Sequence, residues 1–395
     1  MSIKPLKVAL IGAGAISYTY LRTMVQDFDI LDVVGCSDLL PERSKSRAET
    51  FGIRQMTNEE IFNDPEISIV VNTTYPSSHD LINRAALMAG KHVHCEKMMA
   101  DGFEMAKETY ALAKEKGLRI GCAPDTFLGA AYQTARKLID DGFIGEPISA
   151  HAMVLRGYNA QGPSLPARVG GMFIPGSTIA YDMGGYYIHA LIALLGPINR
   201  ISGFAKGREK YYTHPKNPNY KQRVEVTGST MMQSALEFAS GAFGSLTVMG
   251  DSFTSEVPRV EIYGTEGMLI CPDPNNYGGD VILVRNGNGR EQFRMPYTHG
   301  YAEIDRALPT LTGRREAGSH SRRGIGVADM AWAITNGRAH RCSAELGLHA
   351  MEVIYGTEKS CNEGIVYQMT TNPGDIAPLP CGFTGSDAEA AFDTK

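Results

Sequence analysis

Three groups of residues in this chain have types and spacings that could do chemistry. The first is Gly12-Ala13-Gly14-Ala15-Ile16-Ser17, which follows the mostly apolar run Leu6–Ile11. A glycine at the first place permits a tight strand-to-helix turn. A glycine at the second lets the backbone approach a pyrophosphate seated on a helix N-terminus. Ser17 stands where a third glycine is usual and is small enough to let helix pack on strand. Asp38 closes the next apolar run, near the spacing expected of a carboxylate on the adenosine ribose. Such a carboxylate repels a 2′-phosphate and favours NAD over NADP, although Arg43 nearby keeps NADP open.

The second group is Glu96-Lys97, directly after the run Lys91–Cys95. In a doubly wound sheet the strand C-termini face the ligand crevice. A lysine there can polarise a hydroxyl and ease its deprotonation during hydride transfer. A plain surface ion pair is the alternative. The third group is Asp182, Tyr186 and His189. In a helix they stand at i, i+4 and i+7, on one face. That face reads as an acid–base set lining a cleft, or else as a buried hydrogen-bonded cluster.

The elements that must position these groups follow from periodicity. Strands are expected at Leu6–Ile11, Leu31–Ser37, Ile67–Asn72, Lys91–Cys95 and Leu118–Cys122, and helices at 15–26, Pro41–Phe51, His79–Ala89 and Phe103–Lys116. This β-α alternation argues for a Rossmann-type α/β fold with a doubly wound parallel sheet. After Ala123 the character changes. Helices are expected at Ala131–Asp141, 182–195, 326–336 and 343–360. Strands are expected at Ile148–Leu155, Ile201–Phe204, Val224–Val226, Ser234–Phe238, Gly244–Val248, Val260–Tyr263, Met268–Ile270 and Val281–Val284. Turn residues between these strands suit a mostly antiparallel sheet. The expected division is a cofactor domain over 1–124 and a substrate and assembly domain over 125–395, with an irregular tail after Met369.

Composition narrows the function classes. With 43 acidic against 38 basic residues the net charge is −5, which leaves no electrostatic footprint for nucleic acid or an anionic membrane. The seven cysteines are scattered, odd in number and without a CxxC pair, arguing against a disulfide framework or a zinc ribbon. No metal is expected. A signal-peptide pattern and a long apolar span are both missing from the reading, so a cytoplasmic protein is expected. Arg156, Tyr158 and Asn159 follow a strand-like run and could meet a substrate; an ordinary surface loop is the alternative. His151 reads as structural, Arg322-Arg323 as a solvated pair, and Tyr211–Pro218 as a loop bordering the cleft or a neighbouring subunit.

Taken together, the chain resembles the Gfo/Idh/MocA oxidoreductase family over nearly its whole length. The resemblance rests on the glycine turn with Asp38, on Asn72, Tyr75, Pro76 and His79, and on Glu96-Lys97. Asp182-x-Gly184, Leu195-Gly196-Pro197, Ile262 to Gly267 and the two late helices also carry it. It implies an N-terminal Rossmann domain, a C-terminal α/β domain whose open sheet forms a homo-oligomer interface, and NAD(P)-linked redox chemistry on sugars, cyclitols and glycosides. By position it implies that Gly12, Gly14, Ala15, Ile16, Asp38 and Arg43 hold the adenosine and pyrophosphate. Thr74, Pro76, His79, Glu96 and Lys97 would line the nicotinamide end, with Lys97 and Asp182 as active-site residues. Met98 stands where the family has proline, leaving the chain path after Lys97 open. Tyr186 stands where the family often has its acid–base histidine, with His189 one turn on. His189 is the first candidate for the proton, by its resting pKa, and Tyr186 the second. The segment Ala123-Pro124-Asp125-Thr126-Phe127 resembles a branch that includes enzymes oxidising the C3 hydroxyl of glycosides, which would put Asp125 against substrate.

Overall fold

The computed structural model describes residues 4–155, 173–174, 176–213, 215–252, 259–287, 289–302 and 322–382. Six strands form the first sheet: β1 (Leu6–Ile11), β2 (Leu31–Ser37), β3 (Arg54–Gln55), β4 (Ile67–Asn72), β5 (His92–Cys95) and β6 (Ile120–Cys122). Their order is β3-β2-β1-β4-β5-β6 and every pairing is parallel. The helices between them are α1 (Ala15–Gln26), α2 (Pro41–Phe51), α3 (Asn58–Asn63), α4 (Pro76–Met88) and α5 (Phe103–Glu115). Covered on both faces, β1 and β4 bury Val8, Ala9, Leu10, Ile69, Val70 and Val71 completely. The strand order reverses between β1 and β4, which opens the ligand crevice at their C-terminal ends.

Two small elements here escape periodicity. The two residues of β3 are both polar, too few and too hydrophilic to show an alternation. Helix α3 is one short turn set by a capping box, in which Thr57 accepts the Glu60 N–H and the Glu60 carboxylate accepts the Thr57 N–H. Helix α4 starts at Pro76, ahead of the expected His79, because proline suits a first helical position.

After α6 (Ala130–Asp140) comes a nine-stranded sheet. Its strands are β7 (Pro147–Leu155), β8 (Ile198–Lys206), β11 (Met231–Phe238), β12 (Phe243–Met249), β13 (Val260–Gly264), β14 (Gly267–Cys271), β15 (Ile282–Gly287), β16 (Gly289–Arg294) and β17 (Tyr367–Gln368). The order is β16-β15-β14-β13-β7-β12-β11-β8-β17. Only β7 with β12 runs parallel. The expected strand over Val224–Val226 is instead β10 (Arg223–Val224), paired with β9 (Lys210–Tyr211) in a separate ribbon. On the sheet's inner face Leu236, Phe238, Leu246, Val248, Ala152 and Val154 are buried beneath α7 (Gly185–Leu195) and α9 (Ala344–Glu363). Helix α8 (Ile325–Asn336), from the second half of the chain, packs back on α1 and β6 of the first.

The expected helix over 182–195 is corrected. The chain makes one π-helical turn, Ala180–Gly184, before α7. A π turn carries more residues per turn than an α-helix, so Asp182 does not stand in one continuous α-helical register with Tyr186 and His189, which both lie in α7.

His189, His340 and His349 are buried, and burial holds each imidazole down to about 4. Unfolded, they titrate near 6.5. Between those values the unfolded chain takes up protons that the folded chain refuses, so stability is lost as pH falls from about 6.5 toward 4. The unfolding free energy from urea titration is expected to be lower at pH 5 than at pH 7, by on the order of 1–2 kcal/mol for each such histidine, and His349→Gln should narrow that gap.

Candidate active site

The glycine turn is built as its spacing implies. Gly12 has φ +101°, and a Cβ there would stand 2.6 Å from the Thr74 nitrogen. At Gly14 an added Cβ would meet nothing within 4 Å, and α1 begins there without a side-chain cap. The first N–H groups of α1, over Ala15 and Ile16, therefore present an open anion-binding end. Asp38 lies beside it, its two oxygens accepting N–H bonds from Ala13 (2.7 Å) and Leu40 (2.9 Å). Arg43 is exposed, and the guanidinium that reaches this turn is Arg47, which donates to Ser17 Oγ (3.1 Å) and to the Gly14 carbonyl (3.3 Å). The open helix end, the free space over Gly14 and the neighbouring carboxylate fit the diphosphate and ribose of a dinucleotide.

Past β4, Asn72 braces the loop by donating to the His79 carbonyl and to Asn83 Oδ1, while Thr74 Oγ1 donates to Asn72 Oδ1 at 2.7 Å. His79 is buried, with its ring nitrogens 2.7 Å from the Met98 carbonyl and 3.1 Å from the Thr74 carbonyl. It ties the loop after β4 to the loop after β5. The peptide from Lys97 to Met98 is cis, and Met98 is buried.

Lys97 is the hub. Its Nζ lies 3.3 Å from Asp182 Oδ1, 3.6 Å from Glu96 Oε2 and 5.4 Å from the Tyr186 ring centroid. Burial works against its charge, but the Tyr186 oxygen, Glu96 and Asp182 outweigh that and hold its pKa above the ordinary lysine value. Burial pushes the Glu96 carboxyl up. Lys97, Arg323 and the hydrogen bond from Tyr20 Oη (2.9 Å) override it and hold that carboxyl below its usual range.

Several sequence readings change here. His189 is buried: Nδ1 lies 3.0 Å from the Pro124 carbonyl, the ring meets Phe127 edge-on, and Nε2 has no hydrogen-bond partner among the described residues. Asp125 is fully buried, and its oxygens are taken by Tyr277 Oη and by the N–H groups of Gly324 and Gly326, both at 3.0 Å. It is therefore a tie within the protein and not a surface open to substrate. Arg322-Arg323 is no solvated pair. Arg322 lies 4.8 Å from the Tyr301 ring centroid, and Arg323, only 6% exposed, donates to Asn275 Oδ1 at 3.0 Å and reaches Tyr186 Oη at 3.5 Å. Thr23 on α1 donates to the Arg323 carbonyl, locking the turn from the other side. The sequence singled out none of Tyr20, Asn275 and Tyr277, and it assigned Arg323 to solvent. The local signal for Arg323 is the pair of glycines, Gly324 and Gly326, that follow it at the head of an apolar helix. His151 lies on the open sheet face, 2.6 Å from Ser245 Oγ. Arg156, Tyr158 and Asn159 lie outside the described residues, as does His214 of the Tyr211–Pro218 loop. All seven cysteines are free, and no group of three or more metal-ligating side chains occurs among the described residues. No helix among them is long and apolar enough to cross a membrane.

Residues 6–123 match the Gfo/Idh/MocA profile described as an oxidoreductase family with an NAD-binding Rossmann fold, and residues 132–270 match that family's C-terminal domain. The chain belongs to the Gfo/Idh/MocA oxidoreductase family. It is similar to scyllo-inositol 2-dehydrogenase (NAD(+)) of Bacillus subtilis, 28% identical over 270 residues that cover 67% of this chain and 72% of that one. It is also similar to 1,5-anhydro-D-fructose reductase of Ensifer adhaerens, 27% identical over 342 residues, 84% of this chain and 93% of that one. In fold it matches a levoglucosan dehydrogenase solved with NADH, with a TM-score of 0.74 and 23% identity, covering 95% of this chain and all of that one. The family places an NAD-dependent oxidoreductase acting on CH–OH groups on this scaffold.

Asp125→Ala leaves two backbone N–H groups and a tyrosine hydroxyl unpaired in the interior. The loss of unfolding free energy is expected to be about 3–5 kcal/mol. Asp125→Asn should lose less, and both are read from urea unfolding.

Proposed function

We propose that this protein oxidises a secondary ring hydroxyl of a sugar, cyclitol or glycoside with NAD, or reduces the corresponding ketone. The observation that carries the reading is the placement of Lys97 at the C-terminal edge of the dinucleotide sheet, between Glu96 and Asp182 and against Tyr186. Bound NAD would supply the oxidant, accepting the carbinol hydrogen with its electron pair. Lys97, held charged by its neighbours, binds the reacting oxygen. Asp182 orients that lysine. Tyr186 takes the hydroxyl proton, in preference to His189, because its ring lies against Lys97 and its hydroxyl faces Arg323, while the imidazole is packed against Pro124 and Phe127. The likeness of the 123–127 segment to glycoside-oxidising members favours C3 as the carbon oxidised. The first domain, over 1–124, holds the cofactor and the second, over 125–395, completes the substrate side.

The open face of the nine-stranded sheet supports self-association. Phe204 and Phe243 share that face by register and are 79% and 63% exposed. Phe204→Glu is expected to lower the mass measured by sedimentation while leaving the far-ultraviolet spectrum intact.

The activity is tested by the absorbance of reduced nicotinamide, with NAD and scyllo-inositol, levoglucosan or methyl β-D-glucopyranoside, and in reverse with 1,5-anhydro-D-fructose and NADH. Lys97→Ala and Tyr186→Phe are each expected to lower kcat by about 10²–10⁴-fold, and His189→Gln by less than about tenfold. Equal losses in folded His189→Gln and Tyr186→Phe would return the proton to the histidine. No change of absorbance in either direction would sink the dehydrogenase reading.

A further inference from the structure

Arg323 has no part in the chemistry assigned above, yet the fold goes to some length to bring it there. Its guanidinium carbon lies 5.8 Å from the Tyr186 ring centroid and 5.4 Å from that of Tyr277. Nη2 is held by Asn275 Oδ1 at 3.0 Å and faces Tyr186 Oη at 3.5 Å, and Nη1 donates to the Arg322 carbonyl at 3.0 Å. Lys97 lies against the same tyrosine ring, 5.4 Å from its centroid. Two cations from distant segments thus meet one phenol. Burying a second cation beside Lys97 is unfavourable unless anions or nascent anions compensate it. The fixed anions Glu96 and Asp125 supply part of that compensation. A phenolate at Tyr186 would supply more, because a cation facing a hydroxyl oxygen favours its ionised form. The guanidinium cannot itself accept a proton at working pH, so its effect must pass through the groups it faces.

We infer that Arg323 is the positioning residue for proton transfer: it holds the Tyr186 hydroxyl toward the cluster and, with Lys97, stabilises the phenolate form that receives the proton. In oxidation the substrate O–H bond breaks and its proton forms the O–H bond of Tyr186, so a phenolate becomes a phenol; in reduction the same proton returns. This inference rests on the reading of Tyr186 as the proton-transferring group.

The test needs no turnover. Protein labelled with ¹³Cζ-tyrosine is titrated by NMR, and the Tyr186 signal is assigned from Tyr186→Phe. In Arg323→Met the midpoint of that signal is expected to rise by about one pH unit or more. Arg323→Lys, which keeps the charge and loses the planar fork, should move it less. Asn275→Ala, which releases the guanidinium, should move it in the same direction and carries the test if Arg323→Met does not fold. An unmoved Tyr186 midpoint in a folded variant overturns the inference.

The second readout is kcat/KM against pH with scyllo-inositol and levoglucosan. The alkaline-favoured limb of oxidation should move up in Arg323→Met, with kcat lower by about tenfold or more and binding of NAD unchanged. In a Tyr186→Phe background the same substitution should cost less than about twofold, since residues acting through one group are not additive. A tenfold loss in both backgrounds would show that Arg323 acts elsewhere. Absence of turnover by the wild type would fail the dehydrogenase reading, while the NMR midpoint still decides Arg323.

Discussion

The architecture turns on one carboxylate taken wholly out of water. Asp125 sits just past β6, where the parallel sheet ends and the second half of the chain begins. A bare carboxylate is costly to bury, and the cost is offset only if several donors reach it. Here they arrive from two distant places: the hydroxyl of Tyr277, ahead of β15, and the N–H groups of Gly324 and Gly326 at the head of α8. Satisfying one anion therefore fixes three segments against each other. The turn it holds is the one that carries Arg323. Thr23, on the first helix after the glycine turn, closes the same turn from the opposite side.

The cluster around Lys97 follows the same logic of compensation. Lys97 and Arg323 are cations in a crevice with little water, and Glu96, Asp182 and Asp125 are the anions around them. Glu96 is held ionised by Lys97, by Arg323 and by the Tyr20 hydrogen bond, and Lys97 is held charged in return. Charges in such a group are not independent, because each is the main reason its neighbour stays ionised in a poorly solvated place. Tyr186 lies where the two cations converge.

Much of the fold was legible because its signals are local and strong. The apolar runs of β1, β2 and β4 coincide with their observed limits, as does the α2 span, since buried parallel strands need unbroken hydrophobic stretches and Pro41 marks a helix start. Gly12, Gly14, Asp38, Glu96 and Lys97 were legible because turn geometry and strand ends are short-range. The π turn at Ala180–Gly184 was not, since every residue of α7 is buried and no polar stripe marks its phase. Without that phase, Tyr186 and His189 could not be told apart.

By itself, then, the sequence determined the order of elements, the parallel sheet, the glycine turn with its acid and the lysine at a strand end. These depend on backbone preferences and on apolar periodicity within a few residues of one another. Only the tertiary structure decided which polar groups stand together in the dry interior. Asp125 proved a structural tie, Arg323 a buried cation, His189 a packed ring and Tyr186 the neighbour of Lys97. The reason is physical: whether a charged or polar side chain faces water or a partner depends on which remote segments fold over it, and the free energy of burying it is set by those partners and not by its neighbours in sequence.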